Sequence, residues 1–546
     1  MPDVLKERVA VVKGTFWGLT GSMFLKVISF IYTILIARMF TQEDIGTFGL
    51  ALSIIYLTSI FSDLGLNSAF GRYIPYYLGK GQKQNINILL KTSYIWSGTL
   101  SILLSFLLFF SASIITGFYN IPALLSTMQF MAFFLLVNTF FSLNTQFLTG
   151  LKKIKQVAFI QNVQNLIKLI ITVVLFFLLG AKAYVLAAAF TVSYFFTAVL
   201  SFLYVFSELK RLTMIDVKAT LHEQLSILKE LVPFGLMLAT ASGLWSILSY
   251  VDKIMIGALL PNAASSIGVY FIAVSLGGLV LLFPISLLSI FLPVVSEMYG
   301  GNKRNEMLQI STSALRWTIF LAVPITLTLL AFPEYLLQMF FGAAYSQGAL
   351  VLIIFSLGLF VRVLSYVHGT LLASMRIVKV ELFAVALATM VNIVMNWFLI
   401  PIYGIEGAAI ASTISFFVVT GMLIYYSKKL AGFGFSLEFL KPIFAAVLAL
   451  IILLLLKQPI LYLVSSIPQL PFELDGIAEI ILQKSIKLLA LGTIFLFACC
   501  LYILFLLILR CFKTEDYDIT GSALRRLNLP ENTIFNIQKL MGKEKL

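Results

Sequence analysis

Acidic residues, histidine and cysteine are scarce in this chain. Against 38 Lys and Arg stand only 24 Asp and Glu, with two histidines and three cysteines in 546 residues. The histidines, His222 and His368, lie far apart, and Cys499, Cys500 and Cys511 all fall in or at the end of the last apolar run. Neither zinc-ligand spacing nor a disulfide framework is present, and the cysteines read as small apolar residues. No phosphate-binding loop of the GxxxxGK type and no nucleophile arrangement occurs, so no cofactor, metal or enzymatic chemistry is expected. Charge is low overall. Only 11% of residues are charged while 60% are hydrophobic, which excludes an ordinary soluble domain.

What the chain has is apolar length. A hydrocarbon core about 30 Å thick takes about 20 helical residues. Runs of that order are read near 15–38, 45–66, 91–115, 123–148, 157–179 and 183–206, then 231–257, 266–292, 310–332, 348–373, 381–401 and 405–427, and finally 439–464 and 482–511. The N-terminal run is too long for a secretory signal and lacks a small-residue cleavage site, so it is read as the first span. An all-α polytopic membrane protein with 14 transmembrane helices is expected. Lys and Arg cluster in alternate loops, as with Arg72, Lys80 and Lys83 and then Lys152, Lys153 and Lys155. The positive-inside rule then places both termini in the cytoplasm of a multi-pass cell-membrane protein. That placement, and not nucleic acid, accounts for the net charge of +14.

The spans repeat. At an offset of 224, Leu148 aligns with Leu372, Lys155 with Lys379, Phe159 with Phe383, Gly180 with Gly404 and Ala187 with Ala411. The turns Ile45-Gly46 and Ile267-Gly268 correspond at 222. An even number of spans per unit gives both halves one orientation, a parallel repeat about an axis along the membrane normal. The expected organisation is a six-helix bundle over 1–206, a cytoplasmic amphipathic linker over 207–229 and a second six-helix bundle over 230–430. Spans 13 and 14 over 431–511 and a cytoplasmic tail over 512–546 follow. Leu221, Leu225 and Leu228 at helical spacing suit a linker helix on the inner surface. Pro284, after Gly277 and Gly278, and Pro324 are candidate bending points.

Charge inside the spans is the chemistry that can be read. Lys26, Lys168, Lys253 and Arg362 are basic residues within apolar runs, and Lys26, Lys168 and Arg362 sit near the middle of theirs. Lys26 cannot snorkel out, because its side chain reaches on the order of 6 Å and either interface is roughly 15 Å away. Two readings stand. The cations face a water-filled cavity that receives an anion, or they hydrogen-bond to carbonyls and to residues such as Gln164, Asn165 and Asn392 to hold helices together. Asp252 and Lys253, adjacent in sequence, point about 100° apart on a helix. Either can serve the site, Asp252 in coupling or gating. Asp63 and Arg72, near the inner interface, are further coupling or gating candidates, with a solvated pair as the plainer explanation.

The segment from Phe61 to Pro75, with Asp63, Gly65, Asn67, Ala69, Gly71 and Arg72, follows the second span. Together with Leu25 to Phe30, the turn from Ala37-Arg38 to Ile45-Gly46, and Tyr250 to Gly257, it resembles the polysaccharide transport and O-antigen flippase family. That family belongs to the multidrug, oligosaccharidyl-lipid and polysaccharide exporter superfamily. The resemblance implies two six-helix lobes around a central cavity, with the C-terminal helix pair beside one lobe. It implies a flippase that carries a polyprenyl-phosphate- or pyrophosphate-linked oligosaccharide from the inner to the outer leaflet. Substrate-binding candidates are Lys26, Lys168, Arg362 and Lys253. The partners are the lipid-linked oligosaccharide, membrane lipid and glycan-assembly proteins; the chain is read as a monomer with the lipid tail beside spans 13 and 14.

The alternative is a multidrug or organic-cation antiporter of the same superfamily, which would call for a buried carboxylate where the first span offers Lys26. A passive lipid scramblase, or a membrane glycosyltransferase or ligase, comes third. The topology has a direct test. A cysteine introduced at Glu473 should react with an impermeant reagent from outside and one at Lys153 only from the cytoplasm; the reverse pattern would invert the orientation.

Overall fold

The computed structural model describes residues 24–62, 65–211, 220–465 and 477–513, together with Asp516 and Phe535. Asp63, residues 212–219 of the expected linker and residues 466–476 between the expected spans 13 and 14 lie outside the described residues. Every regular element among the described residues is a helix, as a chain that must satisfy its backbone inside hydrocarbon requires. The first helix, α1, is described over 24–39. Then follow α2 (Gln42–Ser59), α3 (Leu66–Gly79), α4 (Lys83–Tyr119), α5 (Leu124–Gly150), α6 (Ile154–Leu179), α7 (Ala183–Arg211), α8 (Leu221–Leu259) and α9 (Ala263–Gly277). The rest are α10 (Leu282–Gly300), α11 (Arg304–Ala331), α12 (Pro333–Phe341), α13 (Ala349–Ser374), α14 (Val378–Tyr403), α15 (Ile405–Ala431), α16 (Leu440–Leu455), α17 (Lys457–Ser465) and α18 (Ile477–Ile508).

Eleven helices among the described residues are long and apolar enough to cross a membrane. The chain is a multi-pass membrane protein. The remaining three expected spans, 15–38, 45–66 and 231–257, fall on α1, α2 and α8, of which α1 is described only from residue 24 and α2 stops at Ser59. Large apolar side chains such as Phe110, Ile114 and Phe177 are exposed, as expected of surfaces facing lipid.

The structure modifies four expected elements. The 45–66 span is interrupted after Ser59, and α3 begins beyond Gly65, whose φ of 78° lies in the left-handed region. A Cβ there would stand 2.0 Å from the Gly235 carbonyl oxygen of α8, so only glycine allows this approach. The expected linker helix is not separate, because Leu221 to Leu228 open α8, which runs unbroken to Leu259. The 266–292 span is divided by a 3₁₀ turn at Gly278–Leu281, close to the bend anticipated at Pro284, whereas Pro324 leaves α11 continuous. The 439–464 span turns at Leu456 between α16 and α17, with Pro459 in the first turn of α17, where a missing N–H costs little.

Two compact units are present, one comprising Met1–Leu276 with Glu381–Ser415 and the other Gly277–Val380 with Phe416–Leu546. In the first, α5 packs against α2, α3, α4 and α7. Its core joins Phe70, Ile74, Phe147, Leu148 and Leu231. In the second, α11 is the hub, contacting α10, α13, α16 and α18.

The 224-residue offset reappears in backbone geometry. It relates both ends of α6 to both ends of α14. It also relates two pairs of left-handed residues, Lys152 (φ 61°) with Arg376 (φ 63°) and Gly180 (φ 79°) with Gly404 (φ 64°). The 222-residue correspondence is a physical contact within the first unit. A Cβ on Gly46 would stand 1.7 Å from the Ala264 carbonyl oxygen, and one on Gly268 would stand 2.0 Å from that of Gln42. Residues 42 and 264 are themselves related by 222, and so are Gly49 and Phe271, which also touch. A contact in which each partner meets the other's equivalent has the form of a local two-fold crossing.

That crossing predicts a stability effect. Gly46→Ala and Gly268→Ala should each lower the melting temperature and the amount of protein in the membrane, by overpacking worth about 1 to 3 kcal/mol. Gly421→Ala, where a methyl would meet no atom within 4 Å, should leave both unchanged in a thermal-unfolding and fluorescence size-exclusion comparison.

Candidate functional site

A buried polar network in the first unit is built on Asp252 of α8. Its carboxylate is 3% exposed. Tyr270 Oη of α9 donates to Oδ2 at 2.5 Å, and Ser412 Oγ of α15 donates to the same oxygen at 2.6 Å. Oδ1 accepts from Asn396 Nδ2 at 2.8 Å and Asn392 Nδ2 at 3.2 Å, both on α14. The two asparagines can share the task because residues four apart lie on one helix face. Asn396 Nδ2 also donates to Asn392 Oδ1 at 3.1 Å, which fixes the pair. Four neutral donors from three helices thus replace the water a buried carboxylate has lost, and hydrogen bonds to an ionised acceptor are the strong kind. Among the described residues no cation contacts the carboxylate.

Lys253, the next residue, turns to another side of α8. Its ammonium donates to the Ser249 carbonyl at 3.1 Å and lies 5.1 Å from the Tyr250 ring centre. Lys168 of α6 is equally buried. It donates to Asn165 Oδ1 at 2.9 Å and stands over the rings of Tyr32 at 4.4 Å and Phe190 at 5.3 Å. Asn165 also accepts from Ser29 of α1, so this group ties three helices together, the arrangement expected of a helix-bridging cation.

Sequence reading missed the aromatic rings that join these two lysines. Phe190 meets Phe134 at 5.1 Å, Phe134 meets Tyr56 at 6.1 Å, and Tyr56 stacks on Tyr250 at 5.0 Å with an interplanar angle of 16°. Aromatic residues are common in the apolar runs, and only the fold distinguishes this set from lipid-facing ones.

The other candidates are placed separately. Lys26 is half-buried. Arg362 belongs to the second unit, half-buried, its guanidinium 5.2 Å from the Phe416 ring and 5.5 Å from that of Tyr366. Arg72 is exposed and lies 5.6 Å from the ring of its neighbour Tyr73. Asp63 lies outside the described residues.

A further buried charge was not anticipated. Arg316 of α11 donates through Nε and Nη2 to Asp516, which also accepts from Trp317 Nε1 at 3.0 Å and from the Lys513 backbone N–H at 2.8 Å. Asp516 is fully buried, so the chain after α18 docks on the hub helix of the second unit. Two apolar clefts of about 450 Å³ each lie in the first unit. One is formed by α4 and α5 around Phe106, Phe109 and Phe133, and one by α4, α5 and α7 around Phe140 and Phe202.

Comparison with known proteins places this geometry. The family described as polysaccharide biosynthesis protein matches residues 11–299, and the MatE family matches 238–398. An uncharacterized membrane protein of Methanocaldococcus jannaschii is 22% identical over 473 residues, 83% of this chain and 90% of that protein. A probable low-salt glycan biosynthesis flippase, Agl15, of Haloferax volcanii is 24% identical over 188 residues, 34% of this chain and 39% of its own length. The capsular polysaccharide biosynthesis protein CapF of Staphylococcus aureus is 25% identical over 217 residues, 39% of this chain and 54% of its own. In fold, the chain is similar to the lipid II flippase MurJ in an inward closed conformation, with TM-score 0.62, 17% identity, and coverage of 87% of this chain and 97% of that one. It is also similar to an inward-facing multidrug resistance MATE family transporter, with TM-score 0.63, 12% identity and coverage of 77% and 98%.

The Asp252 network has a measurable weight. Asp252→Leu leaves several buried donors without an acceptor, each costing about 1 to 3 kcal/mol, and should sharply lower thermal stability and abundance. Asn396→Leu, which removes one donor, should cost less. Equal melting of Asp252→Leu and the wild type would show that the network carries no stability.

Proposed function

From the polysaccharide biosynthesis protein family, to which this chain belongs, we propose that it is a flippase moving an anionic polyprenyl-phosphate- or pyrophosphate-linked oligosaccharide from the inner to the outer leaflet by alternating access. Cell-surface glycan assembly is the process served. The observation that carries this reading is the sign of the charge inside the spans. Lys26, Lys168, Lys253 and Arg362 are cations there, while Asp252, nearer the end of its expected span than Lys26, Lys168 and Arg362 are to theirs, is met by four neutral donors. The interior therefore presents positive charge to an entering phosphate, and a low-dielectric surround strengthens that attraction.

Within the reading the four cations divide by burial. Lys168 and Lys253 are more than nine-tenths buried and set the potential, whereas the half-buried Lys26 and Arg362 are the phosphate contacts. Asp252 is the coupling or gating element, with Asp63 and Arg72 as further candidates. Two six-helix bundles around a cavity, a C-terminal helix pair, fourteen spans, cytoplasmic termini and a monomer complete the proposal. The aromatic-lined clefts on α4, α5 and α7 offer the prenyl chain a surface in addition to that beside spans 13 and 14. The relative Agl15, a probable glycan biosynthesis flippase, and the fold shared with the lipid II flippase MurJ support a transporter of lipid-linked glycans rather than an enzyme.

One observation favours a second reading. The MatE match covers 238–398 and so includes Asp252, and a buried carboxylate is what an organic-cation antiporter requires.

Reconstitution separates the two. Lys26→Gln and Arg362→Gln should slow flipping of a lipid-linked oligosaccharide roughly ten- to a hundred-fold at equal protein, the worth of one charge-assisted contact of about 1.5 to 3 kcal/mol. Lys26→Arg and Arg362→Lys should restore part of the rate. Wild-type flipping by both Gln variants would sink the anion-cavity reading. Proton-driven ethidium transport that requires Asp252, with no flipping, would establish the antiporter.

A further inference from the structure

The chain leaves α18 by a sharp turn. Arg510 is left-handed (φ 49°), and the Cys511 backbone N–H donates to the Leu506 carbonyl at 2.9 Å, the bond that closes a Schellman motif. Beyond the turn the chain meets one face of α11. Phe512 lies against Phe320 with ring centres 5.3 Å apart, and Asp516 meets Arg316, one helical turn earlier on α11. A four-residue step in the tail thus matches a four-residue step on α11 taken in the opposite direction.

The donors converge on one carboxylate. Arg316 Nη2 and Trp317 Nε1 each donate to Asp516 Oδ1 at 3.0 Å, while Arg316 Nε lies 3.0 Å from Oδ2, which also accepts from the Lys513 backbone N–H at 2.8 Å. The Arg316 and Asp516 side chains are 4% and 0% exposed. Lys513 Nζ also reaches Glu438, just before α16, in an exposed ion pair that contributes little by itself. Three described residues of the tail therefore join the end of α18 to α11 and to the entry of α16, and the buried fastening among them is Asp516.

We propose that Phe512, Lys513 and Asp516 form a clasp: the Asp516 carboxylate, seated on Arg316 and Trp317, fastens the C-terminal helices α16 and α18 to α11, and its withdrawal releases them while the rest of the second unit stays folded. A desolvated ion pair loses its stabilisation once contact is lost, so the clasp is either seated or withdrawn. The device is independent of which substrate the protein moves.

Cys511, buried at the root of the clasp, is a native reporter. Cys499 and Cys500 lie within the apolar length of α18, out of reach of a charged, membrane-impermeant thiol reagent. In nanodiscs the full-length wild type should react at Cys511 at least about ten-fold more slowly than the same protein in denaturing detergent, and Cys511→Ser should abolish the signal. Asp516→Asn, which keeps the shape and removes the charge, should raise the rate roughly ten-fold, whereas Lys513→Met, which removes the exposed bridge alone, should change it by less than about two-fold. Hydrogen exchange gives a second readout: in Asp516→Asn the amides of Leu437–Phe439 and of the end of α18 should lose protection while those of α13 keep theirs. Wild-type Cys511 reacting as fast as in denaturing detergent would overturn the clasp, and so would equal rates in the wild type and Asp516→Asn. Loss of protection across α13 as well would overturn it by making Asp516 a core residue of the whole unit.

Discussion

The cost of holding charge where water is absent governs this structure. Helices settle the backbone's own polar groups, but an ionised side chain inside a span must find its solvent among other side chains. Asp252 finds it in two asparagines, a tyrosine and a serine, and these oblige α8, α9, α14 and α15 to meet at one point. Lys168 finds less, one amide oxygen and two ring faces, and ties α1, α6 and α7 together. Each charge therefore specifies helix neighbours, which apolar surfaces alone would leave interchangeable.

The backbone adds a second, steric specification. Lipid-facing helices gain little from burying more apolar area against one another, so close approach depends on small residues. Gly46 and Gly268 let α2 and α9 cross with carbonyl oxygens where side chains would stand, and Gly65 lets the start of α3 reach α8 in the same manner. The equivalence of the contacting residues in the first crossing ties it to the internal repeat. Charge chooses the neighbours, and glycine sets how near they come.

Much of this was legible in the sequence, and the losses have a common cause. Span positions follow from apolar length, and a repeat written in scattered identities reappears in the matching ends of α6 and α14 and in matching left-handed residues. The basic residues within the spans were legible because polarity stands out in an apolar run. Partners were not legible. Asp252 meets donors up to 160 residues away, and Arg316 meets Asp516 at a separation of 200. Helical periodicity gives the face on which a residue lies but not the helix opposite. The break at Gly65 was hidden for a related reason, since a lone glycine in an apolar run marks a turn only once the approach of Gly235 is known. α8 absorbed the expected surface linker because leucines at helical spacing suit an amphipathic helix and the first turns of a span equally well.

The 224-residue offset also pairs positions of opposite chemistry. At the 224-residue offset, Lys168 corresponds to Asn392 and Thr172 to Asn396, on helices whose ends match. One member of the pair carries a cation and the other serves an anion. A lysine at Asn392 would bring an ammonium to Asp252 and neutralise it, and an asparagine at Lys168 would remove the charge from the first half altogether. The sequence does neither. The helices α6 and α14 therefore serve charges of opposite sign, each met by neutral groups. Among the described residues the four groups that meet Asp252 are all neutral, so donors on α9, α14 and α15, and no lysine, set its place in the fold.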